Sequence, residues 1–481
     1  MCLYSHFSAL CSYFSDSILK MNESLINELQ RKLGSDKVLL GAAVSERYEH
    51  IWRMEESLQA MAVTLPATTE EVSIILKACH AHNQPIVVHG GLTNLVGATK
   101  TDKQELVISM EKLNAIEEID ASSRTMTVQA GVILETIQQK AKEQDLLFPL
   151  NFGAKGSAQI GGIISTNAGG LRVFRYGMTR NLVLGLEVVL ADGTIISSLK
   201  KIIKDNSAYD LKHLFIGSEG TLGVVTKAVL KLVEAPKSRN SAWLGVSSYK
   251  KVIQLLKFLD AGLAGTLSGF ELVWNNAFQT LTTPPSTVKA PLSYDYPFYV
   301  LVETLGSNQE KDLEVLQSLL ATALEEGLIT NAVFAFTESD LQWFWRIRED
   351  VHLLFGACQY DQQFDISLPI PTVGKYVDTT IKQLMAIPEV HVVFTLGHVA
   401  DGNIHFAVGK TTQEGRVKEL INRVVYQPLQ ALGGSVSAEH GIGIDKKAYL
   451  PISRSTEEIA LMRLMKNSMD PKNILNRGKL F

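Results

Sequence analysis

The sequence predicts an α+β protein built as more than one domain. Three observations point there. At 481 residues the chain exceeds what one ordinary hydrophobic core organises. Its first half sets short apolar strands and helices around three glycine-rich turns, at 90–97, 153–170 and 217–223. Its second half alternates strand-like runs with amphipathic helical ones, the pattern of helices packed on one face of a mainly antiparallel sheet.

The elements follow in order. Residues 1–20 have no basic leader, Lys20 being the first Lys or Arg, so they resemble neither a secretory nor a transit peptide. They are expected to be disordered or to precede the native start, with Met21 the initiating residue and "NESLINELQRKLG" a helix. In "PATTEEVSIILKACHAHNQPIVVHGG" Thr68 and Glu71 have capping-box spacing, a helical apolar period follows, and "PIVV" is a buried strand. The chain then enters the loop "HGGLTNLVG" (89–97). Strands are expected in "LVISM", "AIEEID" and "TMTVQAG", a helix at about 132–144, and a hairpin turning on Asp192-Gly193. Pro236 and the polar "KSRNS" mark a boundary. Beyond it come "SAWLGVSS", a helix at 248–260, "SGFELVW", "PFYVLVETLG", a helix at 308–326 and "NAVFAFT". The expected units are thus 21–236, 237–446 and a short helical tail, 447–481, that packs back on the first.

"VFTLGHVADGNIHFAVG" (393–409) places two histidines around an Asp-Gly pair inside a β-prone run. Asp401-Gly402 predicts a two-residue type I′ hairpin, which pairs Ala400 with Asn403, Val399 with Ile404 and His398 with His405. Both imidazoles would then share one face, about 4.5–5.5 Å apart at Cβ, within reach of one metal ion. Two hydrogen-bonded core histidines are the plain alternative, and a third ligand is needed to decide.

Composition removes several function classes. A net charge of −4 without a Lys/Arg run disfavours a nucleic-acid partner. No apolar stretch reaches the roughly 18 residues of a membrane span. Cys2, Cys11, Cys79 and Cys358 form no CxxC pair or cluster, which argues against a disulfide framework or an iron–sulfur centre and for reduced thiols in the cytoplasm. None of the glycine-rich turns has the P-loop pattern or the dinucleotide fingerprint between a strand and a helix. Three such turns in one domain, whose backbone amides can approach phosphate closely, favour an extended ligand with a pyrophosphate.

"PIVVHGGLTNLVG", "GSAQIGGIISTNAGGLRVFRYGMTRNLVLGLEVVLADG", "GSEGTLGVVT", "GHVADGNIH" and "SAEHGIG" occur in this order. From about residue 45 onward the chain resembles the D-2-hydroxyglutarate dehydrogenase, D-lactate dehydrogenase and glycolate oxidase branch of the vanillyl-alcohol oxidase/p-cresol methylhydroxylase superfamily. The resemblance implies a two-subdomain FAD-binding domain of the p-cresol methylhydroxylase type, followed by an α+β antiparallel-sheet substrate (cap) domain. It implies FAD held non-covalently by Gly90, Gly91, Leu92, Thr93, Asn94, Leu95 and Val96, by Ser157, Gly161, Gly162, Thr166, Asn167 and Gly170, and by Gly220, Gly223 and Val225. His89 stands where an Arg is common.

The same resemblance assigns His398, His405 and Glu439 to a divalent metal, usually zinc, and His440 to the general base. The chemistry is coherent. A 2-hydroxy acid chelates a Lewis acid through its carboxylate and hydroxyl, which lowers the hydroxyl pKa. A neutral imidazole takes that proton while hydride leaves C2 for the flavin N5. The substrate arginine falls on Arg346 by its spacing from Trp343, leaving Arg348 as a solvated helix residue. Three positions depart from the 2-hydroxyglutarate pattern. Gln363 replaces a lysine, Asp350 a threonine four after the arginine, and Ala407 an asparagine. The expected activity is an FAD- and metal-dependent D-2-hydroxy-acid dehydrogenase whose selection of a dicarboxylate is weakened. Its electrons would go to a separate acceptor, an electron-transferring flavoprotein, a quinone or a cytochrome. A homodimer is compatible with this reading. The rivals are a flavin-dependent transferase of the alkyl-dihydroxyacetone-phosphate synthase type and an FAD subunit of a larger glycolate-oxidase-like complex.

Overall fold

The computed structural model describes residues 23–51 and 56–481. The expectations for residues 1–20 and for a start at Met21 lie outside the described residues. Residues 23–33 are helical, as their apolar period predicts.

The first half contains two sheets on a shared core. In the smaller, the strands run Val38–Leu39, Ala62–Thr64, Leu106–Ser109, Ile86–His89, the last three parallel and the first antiparallel. The helix Thr69–His82 bridges two of them. The Thr68 hydroxyl accepts the Glu71 N–H, and the Glu71 carboxylate accepts the Ala67 N–H one residue before the cap. The larger sheet is antiparallel, in the order Ile116–Asp120, Thr125–Gln129, Val224–Lys231, Val183–Val189, Ile195–Ser198. Its last two strands form the expected hairpin, with Gly193 at φ 84°. Leu76, Ile86, Met126, Val128, Ile160, Val188 and Leu230 belong to the continuous core that joins the sheets.

The second half is one seven-stranded antiparallel sheet. Its order is Asn331–Phe334, Ser238–Val246, Phe298–Gly306, Leu267–Trp274, Val390–Gly397, Asn403–Lys410, Tyr360–Ser367. Helices cover both faces, which corrects the expectation of one. Ala242, Leu244, Val300 and Val302 share a core with the helices Tyr249–Leu263, Gln309–Glu325, Ile370–Met385 and Gly415–Leu432. Trp243, Val273, Tyr299 and Leu301 face the opposite way, toward Asn275–Thr282, Glu338–Glu349 and His352–Gly356. The reason is legible in the strands. "FYVLV", the first five residues of the strand Phe298–Gly306, is a continuous apolar run without polar alternation, as suits a strand buried on both faces.

Glu303, fully buried within that strand, binds the halves together. It accepts from Arg172 of the glycine-dense segment at 3.1 Å, from Arg239 at 2.8 Å and from Ser268 at 2.9 Å. After the helix Thr456–Met469 the tail returns to the first half. The Ile86 N–H donates to Ile474 O (2.7 Å), and Lys466 Nζ donates to Thr221 O (3.0 Å).

The histidine hairpin differs from its prediction. The first strand ends at Gly397, His405 stands opposite Leu396, and His398 to Gly402 form the connection. Only Gly402 of the Asp-Gly pair has positive φ (81°). The Asp401 carboxylate instead accepts the Asn403 N–H (3.0 Å), an Asx turn that holds Asp401 out of the conformation a type I′ turn requires. The two imidazoles still meet edge to face, their centroids 5.2 Å apart.

Candidate active site

A cavity of about 780 Å³ lies between the halves. From the first half it is lined by Gly90 to Leu95, by Gly161, Gly162, Thr166 and Gly170, and by Gly220, Gly223 and Val225. From the second half it is lined by Arg348, His352, Gln363, Ala407, His398, His405, Glu439 and His440, and Glu439 lies against the glycine turn, 3.5 Å from where a Cβ of Gly169 would stand.

Three residues expected on the cofactor do not line it. Val96 is fully buried, and its carbonyl accepts N–H groups from Ile444 and Asp445. Asn167, left-handed at φ 51°, caps the helix Ile160–Thr166, and its amide oxygen accepts the Arg180 N–H. Ser157 sits behind Gly91, where an added Cβ would come within 2.0 Å of the Ser157 carbonyl oxygen. Gly91 is therefore needed for two loops to approach each other. His89 turns away from the cavity to the Thr99 carbonyl (2.9 Å), and burial lowers its pKa to about 4. Gln159 lines the cavity and was not anticipated. Its buried Oε1 has no partner within the protein, an acceptor left for a bound molecule.

On the second-half wall His398, His405 and Glu439 each bring a ligand atom within 4.8 Å of the others. The His398 ring is held by Glu271, whose carboxylate accepts from Nδ1 at 2.7 Å and from Arg348 Nε at 2.7 Å. That leaves Nε2 facing the Glu439 carboxylate, 3.7 Å away. Such a carboxylate–histidine pair fixes both tautomer and orientation of a ligand. Asp365, Glu439 and His440 form a second group by distance alone. Asp365 is already committed, because Oδ2 accepts the N–H groups of Ala438, Glu439 and His440 at 3.1, 2.8 and 3.0 Å. Its Oδ1 accepts from Asn403 at 2.8 Å, so the first group is the one with free lone pairs.

The electrostatics follow from burial and charge. Burial opposes charge on His398, but Glu271 outweighs it and lifts the pKa to about 9. Burial drives His405 well below its usual value and lowers His440 despite Asp365, so both stay neutral near pH 7. Burial raises Glu439, with His398 pulling the other way. For Asp365 burial is outweighed by His440, Lys446, His405 and the backbone N–H groups, and its pKa is strongly depressed.

The arginine assignment is corrected. Arg346 has a side chain 59% exposed, hydrogen-bonded to Asp350 (3.3 Å) and Thr287 (3.0 Å) on the outer face of its helix. Arg348, 7% exposed, reaches the cavity wall. Two residues along a helix span about 200°, so only one of the pair can face inward. The position four beyond the inward arginine is then His352, which lines the cavity, while Asp350 does not. Gln363 and Ala407 lie on the wall as expected. The sequence reading missed Glu271, Asp365 and Glu219. The available signal was an acid inside an apolar strand ("SGFELVW", "FDIS") or within a glycine turn ("GSEG"), where an unpaired charge is costly.

Residues 60–198 match the family described as FAD binding domain, and residues 235–480 the one described as FAD linked oxidases, C-terminal domain. By fold, the chain is similar to p-cresol methylhydroxylase (TM-score 0.74, 14% identity, 96% of this chain and 97% of that one). It is also similar to alkyldihydroxyacetonephosphate synthase (TM-score 0.73, 15% identity, 95% and 85%). The chain belongs to the FAD-linked oxidases and is an FAD-dependent oxidoreductase of the type acting on CH–OH groups. Within that family it is 40% identical over 419 residues to a putative mitochondrial D-lactate dehydrogenase of Schizosaccharomyces pombe, covering 85% of this chain and 80% of that protein. It is 36% identical over 468 residues to a D-2-hydroxyglutarate dehydrogenase of Xanthomonas citri, covering 96% and 98%.

Proposed function

We propose that the protein is a divalent-metal-dependent D-2-hydroxy-acid dehydrogenase that passes its electrons to a separate acceptor. One observation carries the reading: His398, His405 and Glu439 converge beside the neutral His440 in the wall of the same cavity that the glycine-rich turns line. When bound, FAD supplies the two-electron acceptor and a divalent ion, zinc by the nature of the donors, supplies a Lewis acid. Gly90 to Leu95, Gly161, Gly162 and Gln159 would hold the cofactor, and His398, His405 and Glu439 the ion. Two imidazoles and one carboxylate leave positions open for substrate. His440 takes the hydroxyl proton at an imidazole nitrogen, and burial keeps that nitrogen free to accept it. Arg348, held by Glu271, presents its remaining N–H groups to the substrate carboxylate.

The chamber near these groups favours a short or apolar substrate tail. Arg348 is the one Lys or Arg among the described lining residues, and Leu171, Val351, Leu354, Phe355 and Leu396 make the wall apolar. Within residues 338–410, and apart from Arg348 and the histidine ligands, Gln363, His352 and the acid Glu349 are the polar groups on the wall. D-lactate and hydroxy acids with neutral tails are therefore expected to compete with D-2-hydroxyglutarate. The transferase alternative needs a phosphate pocket, and the single arginine, already paired with Glu271, is a poor basis for one. The test is an anaerobic flavin-bleaching screen across D- and L-2-hydroxy acids. Bleaching by D acids, lost after chelation, is expected; bleaching by none, or full bleaching in metal-free protein, overturns the proposal.

A further inference from the structure

The loop carrying Glu439 and His440 is held almost entirely through its backbone, by groups from both halves. Asp365, from the same half as the loop, accepts the N–H groups of Ala438, Glu439 and His440. The next amides are gripped from the other side. Glu219 Oε1 accepts from Ile442 and Oε2 from Gly443, each at 2.8 Å. The Val96 carbonyl then accepts from Ile444 (2.9 Å) and Asp445 (3.2 Å). From Ala438 to Asp445, each residue apart from Gly441 thus donates its N–H to one of three groups. Gly441 is the joint between the two grips. Its φ is 83°, and a Cβ there would lie 3.0 Å from Glu219 Oε1.

Glu219 and Val96 belong to two of the glycine-rich turns that line the cavity from the first half. Glu219 itself lines the cavity with Gly220 and Gly223. It is left-handed, at φ 51°, a conformation that a residue with a side chain seldom adopts. Its N–H donates to Ser165 O (2.8 Å) on the cavity-lining helix Ile160–Thr166, and its carbonyl accepts from Asn476 (2.7 Å) of the returning tail. The backbone of Glu219 is therefore seated among the cofactor loops, and its carboxylate among the amides behind His440. A group that orders the turn 217–223 must order 442–443 with it.

We propose that Glu219 is a positioning residue that ties the order of the Glu439–His440 loop to FAD occupancy of the cavity. The catalytic consequence rests on the reading of His440 as base; the structural one does not. Hydrogen exchange followed by mass spectrometry, on the full chain with and without FAD, reads the loop directly. In the wild-type protein FAD slows exchange in the peptide spanning 441–446. In Glu219→Ala the FAD-dependent protection of Ile442 and Gly443 is lost, with exchange about tenfold faster or more, while the amides held by Asp365 and by the Val96 carbonyl change little. Glu219→Gln keeps the shape and one acceptor, so its protection is intermediate; it carries the test if the alanine variant does not accumulate. On the holoenzyme, both variants lower the limiting rate of flavin reduction at saturating substrate more than they weaken substrate binding, with metal content unchanged. Equal protection in variant and wild type, or no effect of FAD on this peptide in the wild type, overturns the proposal. His440→Asn separates the two readings. Undiminished flavin reduction in that variant removes the base, while the exchange result still decides the role of Glu219.

Discussion

Glu271→Gln tests how the candidate metal centre is built. The Glu271 carboxylate is fully buried and its two oxygens serve two donors, His398 Nδ1–H and Arg348 Nε–H, each at 2.7 Å. Glutamine offers one oxygen and turns an NH₂ toward the other donor, leaving a buried guanidinium without its counter-charge. Breaking a buried pair in this way costs about 3–5 kcal/mol of stability. The effect on metal affinity has two parts of opposite sign. Loss of the carboxylate that orients His398 weakens the site about 10–100-fold. Yet the wild-type His398 pKa of about 9, set by Glu271 against burial, means that at pH 7 a proton competes with the ion by about two decades. Without the carboxylate, burial returns His398 to its neutral form and that competition disappears. At pH 7 the two effects nearly cancel; at pH 9 only the weakening remains. Chelator-competition titrations between pH 7 and 9 should show wild-type affinity for zinc rising about tenfold per pH unit and the variant's nearly flat. A variant that retains the wild-type slope would refute the coupling of His398 to Glu271, and unchanged affinity at pH 9 would refute its orienting role.

The remaining predictions concern substrate and pH. Arg348→Ala should abolish flavin reduction by substrate, whereas Arg346→Ala, which loses one exposed pair of at most about 1 kcal/mol, should leave it within twofold; the reverse result in stopped-flow traces would restore the outward arginine. Gln363→Lys should move preference toward D-2-hydroxyglutarate by about one to two decades in kcat/KM, the worth of a charge-assisted hydrogen bond of roughly 1.5–3 kcal/mol. A wild-type preference for that dicarboxylate above about a hundredfold counts against this reading of the wall. His405→Ala should stop substrate from bleaching the flavin while leaving its visible spectrum intact. In metal-free protein His398 titrates above its unfolded pKa. Its contribution to stability is fully present below about pH 6.5 and lost as pH rises through about 9. Asp365 is depressed, so its contribution is present above its unfolded pKa of about 3.8 and lost as pH falls. Thermal inactivation profiles should therefore show losses on both sides of neutrality, with the alkaline loss relieved by added zinc.

Local physics made much of the fold legible. The Thr68 cap, the helix after it and the Asp192-Gly193 turn depend on neighbours a few residues away and formed as their spacing indicated, except that the Glu71 carboxylate accepts the Ala67 N–H instead of closing the capping box on Thr68. The large sheet was legible as strands, but its second helical layer was not. A continuous apolar run such as "FYVLV" in the strand Phe298–Gly306 marks burial on both faces only if it is weighed against the alternation expected of a half-solvated sheet.

By itself the sequence determined the kinds of chemistry present. Glycine turns, two histidines around Asp-Gly, and Glu-His within a glycine motif are identities that no packing can alter. Those identities also carry the family. Which residue faces which was decided by the tertiary structure. Arg346 and Arg348 differ by two positions on one helix, and only the surface it buries selects the inner one. His398 left the ladder because Asp401 closed an Asx turn, yet its ring still meets His405 because Glu271, on another strand, holds it there. Glu219 lies far along the chain from the loop it grips, and Val96 turned from the cavity to that same loop. Sequence spacing reports what is adjacent along a strand or a helix turn. Contacts made across sheets and between halves are fixed by the packing of whole layers, and the positioning of this site consists mostly of such contacts.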